Sequence, residues 1–233
     1  MTMSNDDFIR QDFDNKPKNE KITIKANSKI LFIGDSITDE GRIRSDQMDL
    51  GKGYPLLVAS YLWNKYPAHD LTILNRGVGG DQVLNLKNRW EEDCLDLNPD
   101  IVSILVGIND IWWHIGDEEL LNEEALNKFE EDYRWLLKTL AHRTDARVVI
   151  MEPYVLPYPK SRLTWRKHLD PRIQIIRRLA KDYHATYVPL DGILNAKGIA
   201  HDYQTYTGDD GVHPTVAGHA AIAQAWIEYR SES

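Results

Sequence analysis

Five short runs of largely apolar, often β-branched residues punctuate the chain at 29–33, 71–74, 101–106, 147–151 and 185–189. Several are continuously apolar rather than alternating, which predicts strands buried on both faces of a parallel sheet. Between and after them lie helix-length amphipathic stretches near 53–66, 81–97, 122–141, 166–183 and 215–229. In the third stretch Leu126, Phe129, Tyr133, Leu136, Leu137 and Leu140 recur at three- and four-residue spacing, giving a helix one apolar face. Five strands alternating with five helices predict right-handed βαβ units and an α/β fold, a three-layer αβα sandwich around a five-stranded parallel sheet. Residues 1–27, polar and charge-rich up to Lys21-Ile22-Thr23-Ile24, read as an N-terminal tail or edge-strand extension, with 28–233 forming one domain.

In such folds ligands bind outside the carboxyl ends of the strands, and the motifs fall there. Gly34-Asp35-Ser36-Ile37-Thr38 follows the first strand, where Ser36 can present its hydroxyl and its backbone N–H to a cleft or simply cap a helix. Asn75-Arg76-Gly77-Val78-Gly79-Gly80-Asp81 follows the second. Its glycines mark backbone approached closely by another group, either an anion or the oxyanion of a reacting ester. It is neither a G-x-G-x-x-G loop nor a P-loop. Gly107-Ile108-Asn109-Asp110 follows the third, with Asn109 serving as a hydrogen-bond donor or a turn former. Gly208-Asp209-Asp210-Gly211-Val212-His213-Pro214 precedes the last helix. A carboxylate three residues before an imidazole can hold one ring nitrogen and leave the other to face a nucleophile. A metal pair is the competing reading, but few further ligands are offered at the other strand ends.

Composition narrows the function classes. A chain of 233 residues suits one full hydrophobic core. A net charge of −8 disfavours nucleic acid, which needs clustered Lys and Arg. Cys94, the sole cysteine, reads as a buried inert thiol. Neither a leader pattern nor a run of membrane-spanning length is visible, so a cytoplasmic protein without a membrane partner is expected.

The order Ser, Gly, Asn, Asp–His along residues 28–229 resembles the SGNH (GDSL-type) hydrolases. That resemblance implies a flavodoxin-like sheet and a serine esterase. Ser36, Asp210 and His213 would form its catalytic triad, and Ser36, Gly80 and Asn109 its oxyanion hole. No metal or other cofactor would be needed. The α/β-hydrolase elbow G-x-S-x-G is absent. Further segments, among them Lys87-Asn88-Arg89-Trp90-Glu91-Glu92-Asp93, Gly107-Ile108-Asn109-Asp110-Ile111-Trp112 and Val212-His213-Pro214-Thr215-Val216-Ala217-Gly218-His219, resemble intracellular acetylxylan esterases. These imply a small-molecule substrate, an acetylated sugar such as an acetylated xylo-oligosaccharide, and a homo-oligomeric enzyme. Trp112 and Trp113 are expected as an aromatic wall for a sugar ring, and Tyr154 as lining for the substrate entrance. Three other readings stand beside this one: a thioesterase or lysophospholipase of the same superfamily, a non-catalytic carbohydrate-binding protein, and a nucleotide- or phosphate-binding regulator built on the Gly77–Gly80 loop, which lacks the Lys and Ser/Thr of a P-loop.

Overall fold

A computed structural model describes residues 22–229. Strand β1 (Lys29–Gly34) leads into a single turn, α1 (Ser36–Asp39), and then to α2 (Tyr54–Lys65). β2 (Thr72–Gly77) is followed by α3 (Val83–Asn88) and a π-helical turn, Glu91–Leu95. β3 (Ile101–Leu105), α4 (Asn109–Trp112), α5 (Glu123–Arg143) and β4 (Arg147–Met151) come next. The chain closes with α6 (Arg166–Asp182), β5 (Thr186–Val188), α7 (Leu190–Ala200), α8 (Tyr203–Tyr206) and α9 (Val216–Glu228).

The five strands form one parallel sheet in the order β2-β1-β3-β4-β5. Alternation along each strand feeds two cores. Ile30 and Phe32 join one with α2, α7 and α9, whereas Leu31 and Ile33 join the other with α3, α5 and α6. A polar group within this packing is paired: Ser103 of β3 accepts the indole N–H of Trp226 at 3.1 Å. The chain leaves β1 for β2 on one side and returns to β3 on the other, so a crevice opens beyond the carboxyl ends of β1 and β3.

Three features differ from the sequence expectation. The stretch at 81–97 is not one helix. It breaks at Arg89, whose side chain turns back to the end of β1 while Trp90 and Cys94 become fully buried. Burial pushes the Cys94 thiol well above its ordinary pKa. An additional helix, α7, escapes the pattern because Gly192 and Gly198 dilute its propensity. A Cβ at Gly198 would lie 2.2 Å from the Tyr203 ring, so the helix is held by close packing instead. Finally, Ile22 and Ile24 are buried in the core shared with α2 and α9, although they belong to the polar N-terminal segment. Most of that segment, residues 1–21, lies outside the described residues, as do residues 230–233.

Candidate active site

Ser36 is the first residue of α1, directly beyond β1. Asp35 is buried and caps this turn, accepting the Ile37 N–H at 3.0 Å. A cap of this kind contributes about 1 kcal/mol. Burial raises the Asp35 carboxyl to about 7 despite that hydrogen bond and the nearby His213.

The glycine loop after β2 is drawn against α1 by close backbone contact. A Cβ on Gly77 would lie 2.3 Å from the Asp39 nitrogen, so only glycine fits there. Asp39 accepts the Gly79 N–H at 3.0 Å, and Arg42 donates to the Gly77 carbonyl at 2.8 Å. Buried Asn75 donates to the Thr38 carbonyl at 2.7 Å and accepts the Gly77 N–H at 2.8 Å. Arg89 donates to the Gly34 carbonyl at 3.2 Å and to Asp81 at 2.8 Å, holding the end of β1 to the end of this loop. Asn109 is buried at the start of α4, and its Nδ2 donates to the Asp81 carbonyl at 3.1 Å. An amide has two such hydrogens, so one is left to donate elsewhere. The N–H groups of Ser36 and Gly80 have no acceptor among the described residues.

His213 arrives from the far end of the chain, on the loop before α9. Its Nε2 lies 2.9 Å from Ser36 Oγ, and its Nδ1 lies 2.6 Å from Asp210 Oδ2. Asp210 Oδ1 also accepts the backbone N–H groups of Val212 and His213, at 2.8 and 2.9 Å. Burial works to raise Asp210, but the hydrogen bonds from His213 and the two backbone groups outweigh it and hold the carboxyl at about 2. The same Asp210 contact raises His213 above its ordinary value, against the opposing effect of burial. This geometry equips the Ser36 hydroxyl with a base whose far nitrogen is fixed by a carboxylate, an arrangement suited to nucleophilic attack on a carbonyl.

Of the three residues expected as substrate contacts, the two tryptophans lie against His213 and Gly80, and the tyrosine is buried. Trp113 is exposed and donates from its indole nitrogen to the Gly80 carbonyl at 3.0 Å. Trp112 packs against the His213 ring, with centroids 5.5 Å apart. Tyr154 is only 1 % exposed, and its hydroxyl donates to the Val212 carbonyl at 2.8 Å. A ring so enclosed positions the His213 loop from beneath.

Sequence reasoning missed a second support for that loop. Arg162 lies over the Trp165 ring at 4.1 Å and the Trp112 ring at 5.4 Å, and its Nε donates to the Asp210 carbonyl at 2.5 Å. Nothing in the spacing of Arg162 and Trp165 announces this, because the partner lies 48 residues away. Among the described residues no group of three or more His, Cys, Asp or Glu side chains could hold a metal ion. No helix among them is long and apolar enough to cross a membrane.

The model of the GDSL-like lipase/acylhydrolase family matches residues 32–221, a span that runs from β1 into α9. The chain belongs to this family. As a GDSL-family member it is a carboxylic ester hydrolase. It is 32 % identical over 211 residues to an acetylxylan esterase of Geobacillus stearothermophilus, covering 88 % of this chain and 94 % of that protein. The solved structure of Axe2, an acetylxylan esterase from that organism, superposes with a TM-score of 0.80 at 30 % identity, covering 91 % of this chain and 98 % of the other. A structure described as that of a GDSL-like lipase from Parabacteroides merdae superposes with a TM-score of 0.82 at 33 % identity, covering 90 % and 98 % of the two chains. The GDSL-family hydrolase thus shares its fold with these two structures across nearly their whole length.

Proposed function

We propose that this hydrolase is a serine esterase that removes acetyl groups from carbohydrates, with acetylated xylo-oligosaccharides as its substrate class. The observation that carries the reading is the continuous hydrogen-bonded chain Asp210–His213–Ser36, at 2.6 and 2.9 Å. Ser36 Oγ attacks the ester carbonyl as His213 Nε2 takes its proton. Asp210 holds the imidazole in the required tautomer and stabilises the imidazolium. The N–H groups of Ser36 and Gly80 and the free amide hydrogen of Asn109 receive the tetrahedral oxyanion. The sugar hydroxyl leaves with the proton from His213. Water, deprotonated by the same imidazole, then releases acetate from the serine.

The carbohydrate half of the proposal is supported by the acetylxylan esterase relatives and by Trp113, an exposed indole anchored beside Gly80. A ring held in that way offers an apolar face to a sugar at little entropic cost. A cytoplasmic location and a homo-oligomeric state come with the same resemblance and belong to the proposal.

A fluorophosphonate reagent followed by peptide mass spectrometry tests the nucleophile. One adduct on the Ser36 peptide is expected, and an adduct solely on another residue would sink the assignment. Comparing acetyl with octanoyl aryl esters tests the acyl group, and kcat/KM is expected to favour acetyl by roughly tenfold or more. A preference for octanoyl would point to the lipase-like relatives instead.

Removing the Asn109 amide tests the oxyanion hole. Asn109→Ala is expected to lower kcat by roughly 10²–10³ with little change in KM, since the lost contact strengthens only in the tetrahedral state. An unchanged kcat in a folded variant would remove Asn109 from the mechanism.

A further inference from the structure

A cavity of about 720 Å³ opens between the start of α3, the segment from Asp110 to His114, and the first turns of α5, with Arg172 of α6 in its wall. Neither Ser36 nor His213 lines it. Arg172 is only 2 % exposed. Its single hydrogen bond runs from Nη1 to the His168 carbonyl at 3.1 Å and its guanidinium lies over the Phe129 ring at 5.5 Å, while its Nε has no partner and Asp110, the carboxylate whose charge acts on it, is too far for an ion pair. A guanidinium desolvated to this degree ordinarily meets a carboxylate or a ligand.

The remaining wall indicates what kind of ligand would fit. Asp110 accepts the Val83 N–H at 3.2 Å and keeps acceptor capacity toward the cavity. Burial moves this carboxyl up to about 7. Asp132 is shared between Lys128, at 2.6 Å, and Lys87, at 2.7 Å, so this cluster carries one net positive charge, which the carboxylates at the rim offset. Glu124 and Glu131 at the rim disfavour an anion. Phe129 and Val83 supply an apolar side. Strong donors, strong acceptors and an apolar wall in one space of this size suit hydroxyl groups, which both donate and accept, on a ring with C–H faces.

We propose that this cavity is a second binding site, separate from the Ser36 centre, for a neutral polyhydroxylated ligand in the form of a short unesterified sugar chain. The site adjoins the catalytic machinery through Gln82, whose Nε2 donates to the Asn109 carbonyl at 3.1 Å and to His114 Nε2 at 3.0 Å. The proposal stands on the cavity alone and does not require the esterase mechanism.

Titration calorimetry of the full chain with xylotriose tests it. Saturable binding is expected, weakened about tenfold or more in Arg172→Met, which removes the unpaired donor. The same loss is expected in Ala125→Trp, which fills the cavity from the half-exposed first turn of α5. Both variants should keep aryl acetate turnover within about twofold of the parent, as neither touches the Ser36 centre. Thermal melting reports whether Arg172→Met is folded, and Ala125→Trp decides the matter if it is not. An unchanged xylotriose affinity in Ala125→Trp, or the absence of saturable binding, would overturn the second site. Displacement of xylotriose by inorganic phosphate would overturn the neutral-ligand class. Absence of aryl acetate turnover in the parent would count against the esterase, whereas the affinities would still decide the cavity.

Discussion

Replacing Ser36 with Ala is expected to lower kcat on an aryl acetate by a factor on the order of 10⁶, leaving a residual rate from binding and the oxyanion donors. The effect would be large because, in the proposed mechanism, the hydroxyl is the atom that bonds to the acyl group, and no neighbour could take its place. The fold should be unaffected. Ser36 is half-buried and its Oγ has His213 as its partner, so a methyl group leaves no orphaned polar atom in the core. Kinetics on the purified variant, with circular dichroism beside them, supply the check. Turnover within about tenfold of the parent in a folded variant would be incompatible with an acyl-enzyme at this position.

Asp210→Asn is expected to cost roughly 10⁴ in kcat. The asparagine oxygen can still accept the N–H groups of Val212 and His213, so the loop keeps its shape. Its NH₂ would then face His213 Nδ1, forcing that nitrogen to become an acceptor and moving the proton to the nitrogen that must take one from Ser36. The pH profile gives an independent readout. In the proposed mechanism the active imidazole is neutral, so kcat/KM is expected to rise with pH through the pKa of His213. Asp210 holds that pKa above its ordinary value of 6.5. Removing the carboxylate removes the stabilisation of the imidazolium, and the rising limb should move to lower pH. A limb that stayed in place, or moved upward, would show that Asp210 does not govern the base.

The sheet, and the placement of the candidate motifs beyond its carboxyl ends, were legible in the sequence for one reason: a parallel strand buried on both faces must be nearly all apolar. The runs at 29–33 and 101–106 therefore declare themselves, and the residues after them are fixed at one end of the sheet. Ser36 and Asn109 followed from that placement, whereas the Asp210–His213 pair was read from its three-residue spacing before the last helix. What could not be read depends on contacts between distant segments. Tyr154 looked like a cleft residue from its Pro- and Tyr-rich surroundings, yet its ring is enclosed because the His213 loop passes over it. Arg162 and Trp165 sit in a 3₁₀ turn with no periodicity, and their meaning appears only once Trp112 and Asp210 are beside them. The break after Asn88 was equally hidden, because the demand on Arg89 comes from Gly34 and Asp81 rather than from the local pattern.

The lateness of the His213 loop has a consequence for synthesis. A nascent chain exposes Ser36 early, when it has no base and is a harmless alcohol. The Asp210–His213 loop emerges only after β5, and the next segment, α9, lays Trp226 against Ser103 on the central strand. In the proposed mechanism, esterase chemistry and closure of that core would therefore arrive together, so turnover in a translation reaction would remain silent for every chain released before α9.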